Sequence, residues 1–182
     1  LAAQYREGKV GTPKPSDDWS SRPVTMVFMD VKAEAGGEKA VSMLSLRTAQ
    51  ALEAEGRVQM VERELLDKLL AELKLSTSAL GDPNTALKLG RLLSARIMVT
   101  GSVVPEKKGM TIGLRFIDTE TTAVRKVITV DAPSQEIDRD TAQNLAKGIN
   151  EWVKADFPVR GRVTTLAGET CMLNIGQAHG LR

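Results

Sequence analysis

The chain has 182 residues, 42% hydrophobic and 26% charged, which suits one domain of ordinary size with a real core. A formal charge of +2 gives no compositional support for nucleic-acid binding, and no apolar run is long enough to form a membrane-spanning helix. One cysteine, Cys171, excludes an internal disulfide, and 3% aromatics leave the core to Leu, Val, Ile, Met and Ala. Because the chain opens at Leu1 without a methionine, we expect a processed or trimmed chain, with any signal peptide or lipid-anchor cysteine upstream of it.

Residues 1–23 read as a lead-in: the tail of a helix, then a Pro/Ser/Gly/Asp-rich linker, with Trp19 expected to dock on the domain. "VTMVFMDV" (24–31) is a short apolar run with β-branched residues and predicts a buried strand. From Glu38 to Glu55, Val41, Leu44, Thr48 and Leu52 recur at helical steps, and Gly56 is placed to end that helix. "RVQMV" (57–61) alternates as a second strand. "ERELLDKLLAEL" (62–73) predicts a second helix with Leu65, Leu66, Leu69, Leu70 and Leu73 on one face. Asp82 and Pro83 form an N-cap and first position for a third helix to about Ser94, with Gly90 inside it marking the approach of another backbone. "ARIMVTGSVV", "MTIGLRFID" and "AVRKVITVD" follow as three strands with connections of hairpin length. A last helix carries Ile137, Leu145, Ile149, Trp152 and Val153.

The order β-α-β-α-α-β-β-β-α predicts an α/β sandwich over residues 24–157. It has a mixed sheet of about five strands, the first two parallel and the last three an antiparallel meander. Beyond Pro158, "GRVTTL", a turn at Ala167-Gly168 and "TCMLNIG" predict a β-hairpin opening a second, β-rich domain over 158–182. A lone hairpin is marginal in water, so this segment is expected to lean on the first domain or be partly disordered.

Candidate chemistry is thin. A phosphate loop needs a glycine-rich turn between a strand and a helix, so that free amides face the anion. Thr100-Gly101-Ser102 instead lies between "IMV" and "VV", inside a strand, where Gly101 lets a helix or strand approach the sheet. His179, the only histidine, reads as a surface turn, and Cys171 as a small buried hydrophobe. One His and one Cys cannot build the usual metal-ligand sets, so neither a metal site nor a cofactor is expected. Glu62, Glu64, Asp67, Lys68, Asp138, Arg139 and Asp140 all have structural explanations as helix-end or polar-face charges. Asp17-Asp18 is a linker pair. Asp30, at the end of the first strand, and Gly36-Gly37, before a helix, are the candidates for a small ligand or anion. No catalytic residue is assigned.

Three stretches carry a family resemblance: "MVERELLDKLLAELKL" (60–75), "TALKLGRLLSARIMVTGSVV" (85–104) and "LRFIDTETTAVRKV" (114–127). Together, residues 24–130 resemble the α/β domain of the curli secretion-channel subunit (CsgG-type) family and related bacterial envelope lipoproteins. Relatives often have Thr-Gly in the last turn, where this chain has Thr121-Thr122. The tail "RGRVTTLAGETCMLNIGQAHGLR" (160–182) resembles the opening of the carboxy-terminal β-domain of flagellar assembly protein T. The resemblance implies a periplasmic, outer-membrane-associated protein, often lipid-anchored, that acts through a protein partner or self-association and is not an enzyme. Relatives include secretion-pore subunits, activators of peptidoglycan synthases and flagellar-ring components. Pore-forming relatives add long membrane hairpins; "PEKKG" and "DTETT" are too short for strands of roughly 9–11 residues. The leading expectation is therefore a scaffold or adaptor without pore-forming hairpins, attached to membrane only through a lipid anchor or a partner. The alternative is a ligand-binding domain with its site at Asp30, Gly36 and Gly37. Trp19 and Trp152 are expected to be packing residues.

Overall fold

A computed structural model describes residues 22–34, 37–76, 78, 80, 82–176, 179 and 181. The lead-in with Trp19, and Gly36 of the candidate anion loop, lie outside the described residues. The elements run β1 (Val24–Ala33), α1 (Glu38–Glu53), β2 (Val58–Met60), α2 (Arg63–Glu72), α3 (Pro83–Leu92), β3 (Ile97–Pro105), β4 (Met110–Asp118), β5 (Val124–Ala132), α4 (Arg139–Asp156), β6 (Val163–Ala167) and β7 (Thr170–Leu173). Five strands form one mixed sheet in the order β2-β1-β3-β4-β5. β1 is parallel to both β2 and β3, and β3, β4 and β5 form an antiparallel meander. The element order, the parallel start and the meander are as the sequence predicts.

Two apolar cores follow from strand alternation. On one face Met26, Ile97, Val99, Ile112, Leu114 and Phe116 meet Leu44 and Leu52 of α1 and Leu145, Ile149 and Val153 of α4. On the other, Val27, Met29 and Met98 meet Leu66 and Leu70 of α2 and Ala86 and Leu89 of α3. Each such fully buried large side chain contributes about 1.5–3 kcal/mol through water exclusion. Trp152 packs as expected, with its ring 5.1 Å from Phe116 and 5.7 Å, edge-on, from Phe157. Side-chain caps start two helices: Thr85 N–H donates to Asp82 at 2.9 Å, and Thr141 N–H to Asp138 at 2.8 Å.

Four expectations are corrected. The leucine face of α2 is narrower than predicted: Leu66 and Leu70 are buried, while Leu65 and Leu73 are 50% and 45% exposed. Leu65 and Leu73 lie about 100° round the helix from Leu66 and Leu70, beyond the face that packs on the sheet, whereas half-buried Leu69 still packs against that core. Gly90 is approached by a side chain rather than a backbone; an added Cβ would sit 3.0 Å from Cγ2 of Thr119. Cys171 is exposed, because β6 and β7 pair only with each other. Residues 160–173 are all exposed, so of the two outcomes expected for the hairpin, leaning on the first domain is the one not seen; Ile175 folds back on Gly161 instead.

Thr100-Gly101-Ser102 lies in the interior of the sheet. Gly101 is paired with Val31 on one side and Leu114 on the other. An added Cβ there would lie 2.1 Å from the Gly113 carbonyl oxygen, whereas one at Gly113 meets nothing within 4 Å. Since β4 is held by β5, it cannot withdraw. Gly101→Ala is expected to cost about 3 kcal/mol or more, against less than about 0.5 kcal/mol for Gly113→Ala, as read from urea unfolding midpoints.

The β4–β5 turn holds the one strained residue that the family resemblance foreshadows. Thr122 has φ 63°, in the left-handed region that disfavours β-branched side chains, at the place where relatives often have glycine. Thr122→Gly is expected to stabilise the protein by about 0.5–1 kcal/mol, visible as a higher thermal midpoint.

Candidate functional site

β2 stops after three residues, and this creates a concavity. It pairs with β1 only over Val24–Met26, and the Val61 N–H to Met26 carbonyl bond, 2.8 Å, is the last link. The chain then turns into α2 on one face of the sheet, while α1 covers the other. Between them β1 continues to Ala33, leaving a cleft of about 1000 Å³ along its flank. Val27, Met29 and Leu66 give it an apolar floor; Val41, Ser45 and Ala49 of α1 form one wall. Leu46, 54% exposed, stands at the lip. Its charged lining is Asp30, Glu53, Glu62, Glu64 and Arg63.

Asp30 is in this lining, but its position differs from the expected one. It lies inside β1 rather than at its end, directly after a bulge between Phe28 and Asp30 that inserts one extra residue against β3. Its carboxylate is 3.5 Å from Lys32 Nζ. Gly37 is buried and its N–H already donates to the Glu34 carbonyl at 2.8 Å, so it does not face an anion. Glu38 in the first turn of α1 adds negative charge at the same helix end. Asp30 and Gly37 therefore do not combine into an anion cradle. His179 sits in a turn, its Nδ1 accepting from Gly176 N–H at 3.1 Å. Among the described residues no group of three or more His, Cys, Asp or Glu could hold a metal ion, and no helix is long and apolar enough to cross a membrane.

Sequence reasoning missed the strongest charged cluster. Asp118, 1% exposed, accepts from the N–H groups of Glu120 and Thr121 at 2.9 and 3.0 Å and from Arg96 Nη2 at 2.9 Å. Thr119 Oγ1 donates to the Ala95 carbonyl at 2.7 Å, Arg91 Nε donates to the Thr119 carbonyl at 2.6 Å, and Arg96 also pairs with Glu120. The cluster ties the β4–β5 turn to the α3–β3 junction. An aspartate followed by "TETT" signals an Asx-type turn, but Arg96 comes from 22 residues away, which no local pattern shows. Its role is structural: the Asp118 carboxylate and both Arg96 terminal nitrogens are engaged inside the fold, while Arg96 Nε is buried without a partner.

Burial alone would raise the Asp118 pKa, but the amides of Thr121 and Glu120 and the Arg96 guanidinium outweigh it and hold the carboxyl below its ordinary value. A depressed carboxyl contributes stability above the unfolded pKa of about 3.9 and loses it as pH falls through the native value. Asp118→Asn is expected to cost about 2–3 kcal/mol at neutral pH, with the gap to wild type closing below about pH 4 in urea melts.

The mixed sheet, two helix layers and cleft define an α/β sandwich domain. Residues 24–108 match the family model described as "Curli production assembly/transport component CsgG", so this segment is CsgG-like. Among solved structures, the C-terminal domain of LpoB from Salmonella enterica is similar at 15% identity and TM-score 0.51, covering 64% of this chain and 87% of that one. The same domain from Escherichia coli is similar at 16% identity and TM-score 0.53, covering 60% and 82%. TolB from Acinetobacter baumannii is similar at 11% identity and TM-score 0.50, covering 75% of this chain and 29% of that one. At these identities the likeness is one of fold. No curated protein sequence matches the chain significantly.

Proposed function

We propose that this chain is a non-catalytic scaffold or adaptor of the bacterial cell envelope, working in assembly or secretion at the outer membrane through contact with other proteins. The observation that carries this reading is the match of residues 24–108 to the CsgG assembly and transport component. The connections support an adaptor over a pore. β3 and β4 are joined through Glu106–Gly109, and β4 and β5 through Thr119–Ala123, where a lipid-crossing hairpin needs strands of roughly 9–11 residues. In this reading membrane attachment comes from a lipid anchor or a partner, and the hairpin of β6 and β7 opens a second, β-rich domain. Its exposed Leu166 and Met172 are apolar positions for that domain to cover.

The test uses the full-length protein in its own bacterium. Cell fractionation is expected to place it with periplasmic and outer-membrane markers. In-cell photo-crosslinking from exposed positions of the α/β domain is expected to give discrete protein adducts. Fractionation with cytoplasmic markers, or the absence of any protein adduct, overturns the reading. Light scattering of the purified protein across a concentration series then separates self-association from a different partner.

A further inference from the structure

We propose that the cleft beside β1 receives an extended peptide segment of another protein, with alternating apolar side chains flanked by lysine or arginine, which adds as a strand to the free edge of β1. The inference rests on the protein-contact reading above and says which surface makes the contact and what chemistry it selects.

The first ground is the edge itself. Past Met26, β1 has β3 on one side and, among the described residues, no strand on the other. In a strand, the N–H and C=O of one residue point to the same side, and successive residues alternate. Arg96 N–H donates to the Thr25 carbonyl on the β3 side, so Met26 and Phe28 face the β2 side. The bulge after Phe28 reverses the alternation, as the Glu34 N–H to Val103 carbonyl bond records. Val31 and Ala33 therefore also present their main-chain groups to the open side. Such an edge is a template for strand pairing, and proteins usually blunt it with proline, lysine or a covering element. Here the edge lies in a cleft lined by α1 and by the start of α2.

The second ground is the lining. A strand projects side chains alternately to its two faces, and half-buried apolar residues line the cleft on both, Val41 and Ala49 from α1 and Val61 on the opposite side. The third ground is charge. Four carboxylates and one guanidinium line the cleft. Arg63 is engaged by Asp67 at 3.1 Å, Asp30 by Lys32, and Glu53 accepts from Met60 N–H at 3.3 Å. The carboxylates of Glu62 and Glu64 enter no ion pair among the described residues and are exposed. They select a cationic flank.

The experiment titrates the purified full chain into a fluorescent pool of hexapeptides, Lys-X-X-X-X-Lys with X drawn from Val, Ile, Thr and Phe. Two control pools carry Glu flanks or N-methylated central amides. Saturable binding by the first pool alone is expected, with amide NMR shifts at Phe28, Val31 and Ala33. The double variant Glu62→Lys/Glu64→Lys, at exposed positions, is expected to weaken binding at least about tenfold. Val31→Pro, which removes an edge donor, is expected to weaken it too; should that variant misfold, the charge-reversed one still decides. No saturable binding, equal binding of either control pool, or unchanged affinity in the charge-reversed variant overturns the proposal. Peptide-free self-association that shifts the same amides assigns the cleft to a second copy and likewise overturns it. Fractionation and crosslinking do not depend on the cleft, so its failure leaves the adaptor reading standing, whereas their failure removes that reading directly.

Discussion

β3 has no free edge. β1 runs parallel along one side of it and β4 antiparallel along the other, and Gly101 sits where β4 closes in. Every other placement depends on that double pairing. The parallel half brings α1 and the α2–α3 pair onto opposite faces, because each crossover must cover the sheet on its way back. The antiparallel half carries the meander whose far side receives α4. A side chain at Gly101 would push β4 from β3 and separate the two halves of the core.

The same topology explains why this concavity lies at β1 and not at the meander. β2 is short because its chain must leave early to begin α2, so its partner strand outlasts it. The result is a main-chain edge inside a cleft lined by α1 and the start of α2. At the other end of the sheet, the Asp118 cluster uses its charges entirely for holding a turn against the α3–β3 junction. The two ends thus differ: one is tied by internal hydrogen bonds and ion pairs, and the other carries the edge that our proposal assigns to a partner strand.

The turn at Thr122 shows how a family pattern and backbone physics meet. A left-handed residue is needed to reverse the chain between β4 and β5, and the clamp from Asp118 holds a β-branched residue in that conformation. Local strain persists because the surrounding bonds over-determine the turn.

Most of the fold was legible in the sequence by itself. The 3.6- and 2-residue periods of Leu44–Thr48–Leu52 and of the strands, the cap at Asp82, and the hairpin-length connections pointed to the described elements and the mixed sheet. They do so because backbone periodicity and capping are local. Burial of particular side chains was less legible. The leucines of α2 look alike in sequence, and only its docking angle on β1 buries Leu66 and exposes Leu65. Cys171 reads as a core residue until one sees that nothing covers its strand. The site was the least legible of all. Asp30 stood out as a carboxylate near a strand end, but that it lines a cleft with Glu62 and Glu64 follows from where β2 stops relative to β1. The Asp118–Arg96 pair likewise exists only once β3 and β4 lie side by side. Strand register and the meeting of distant segments are decided by global packing, which no local pattern encodes.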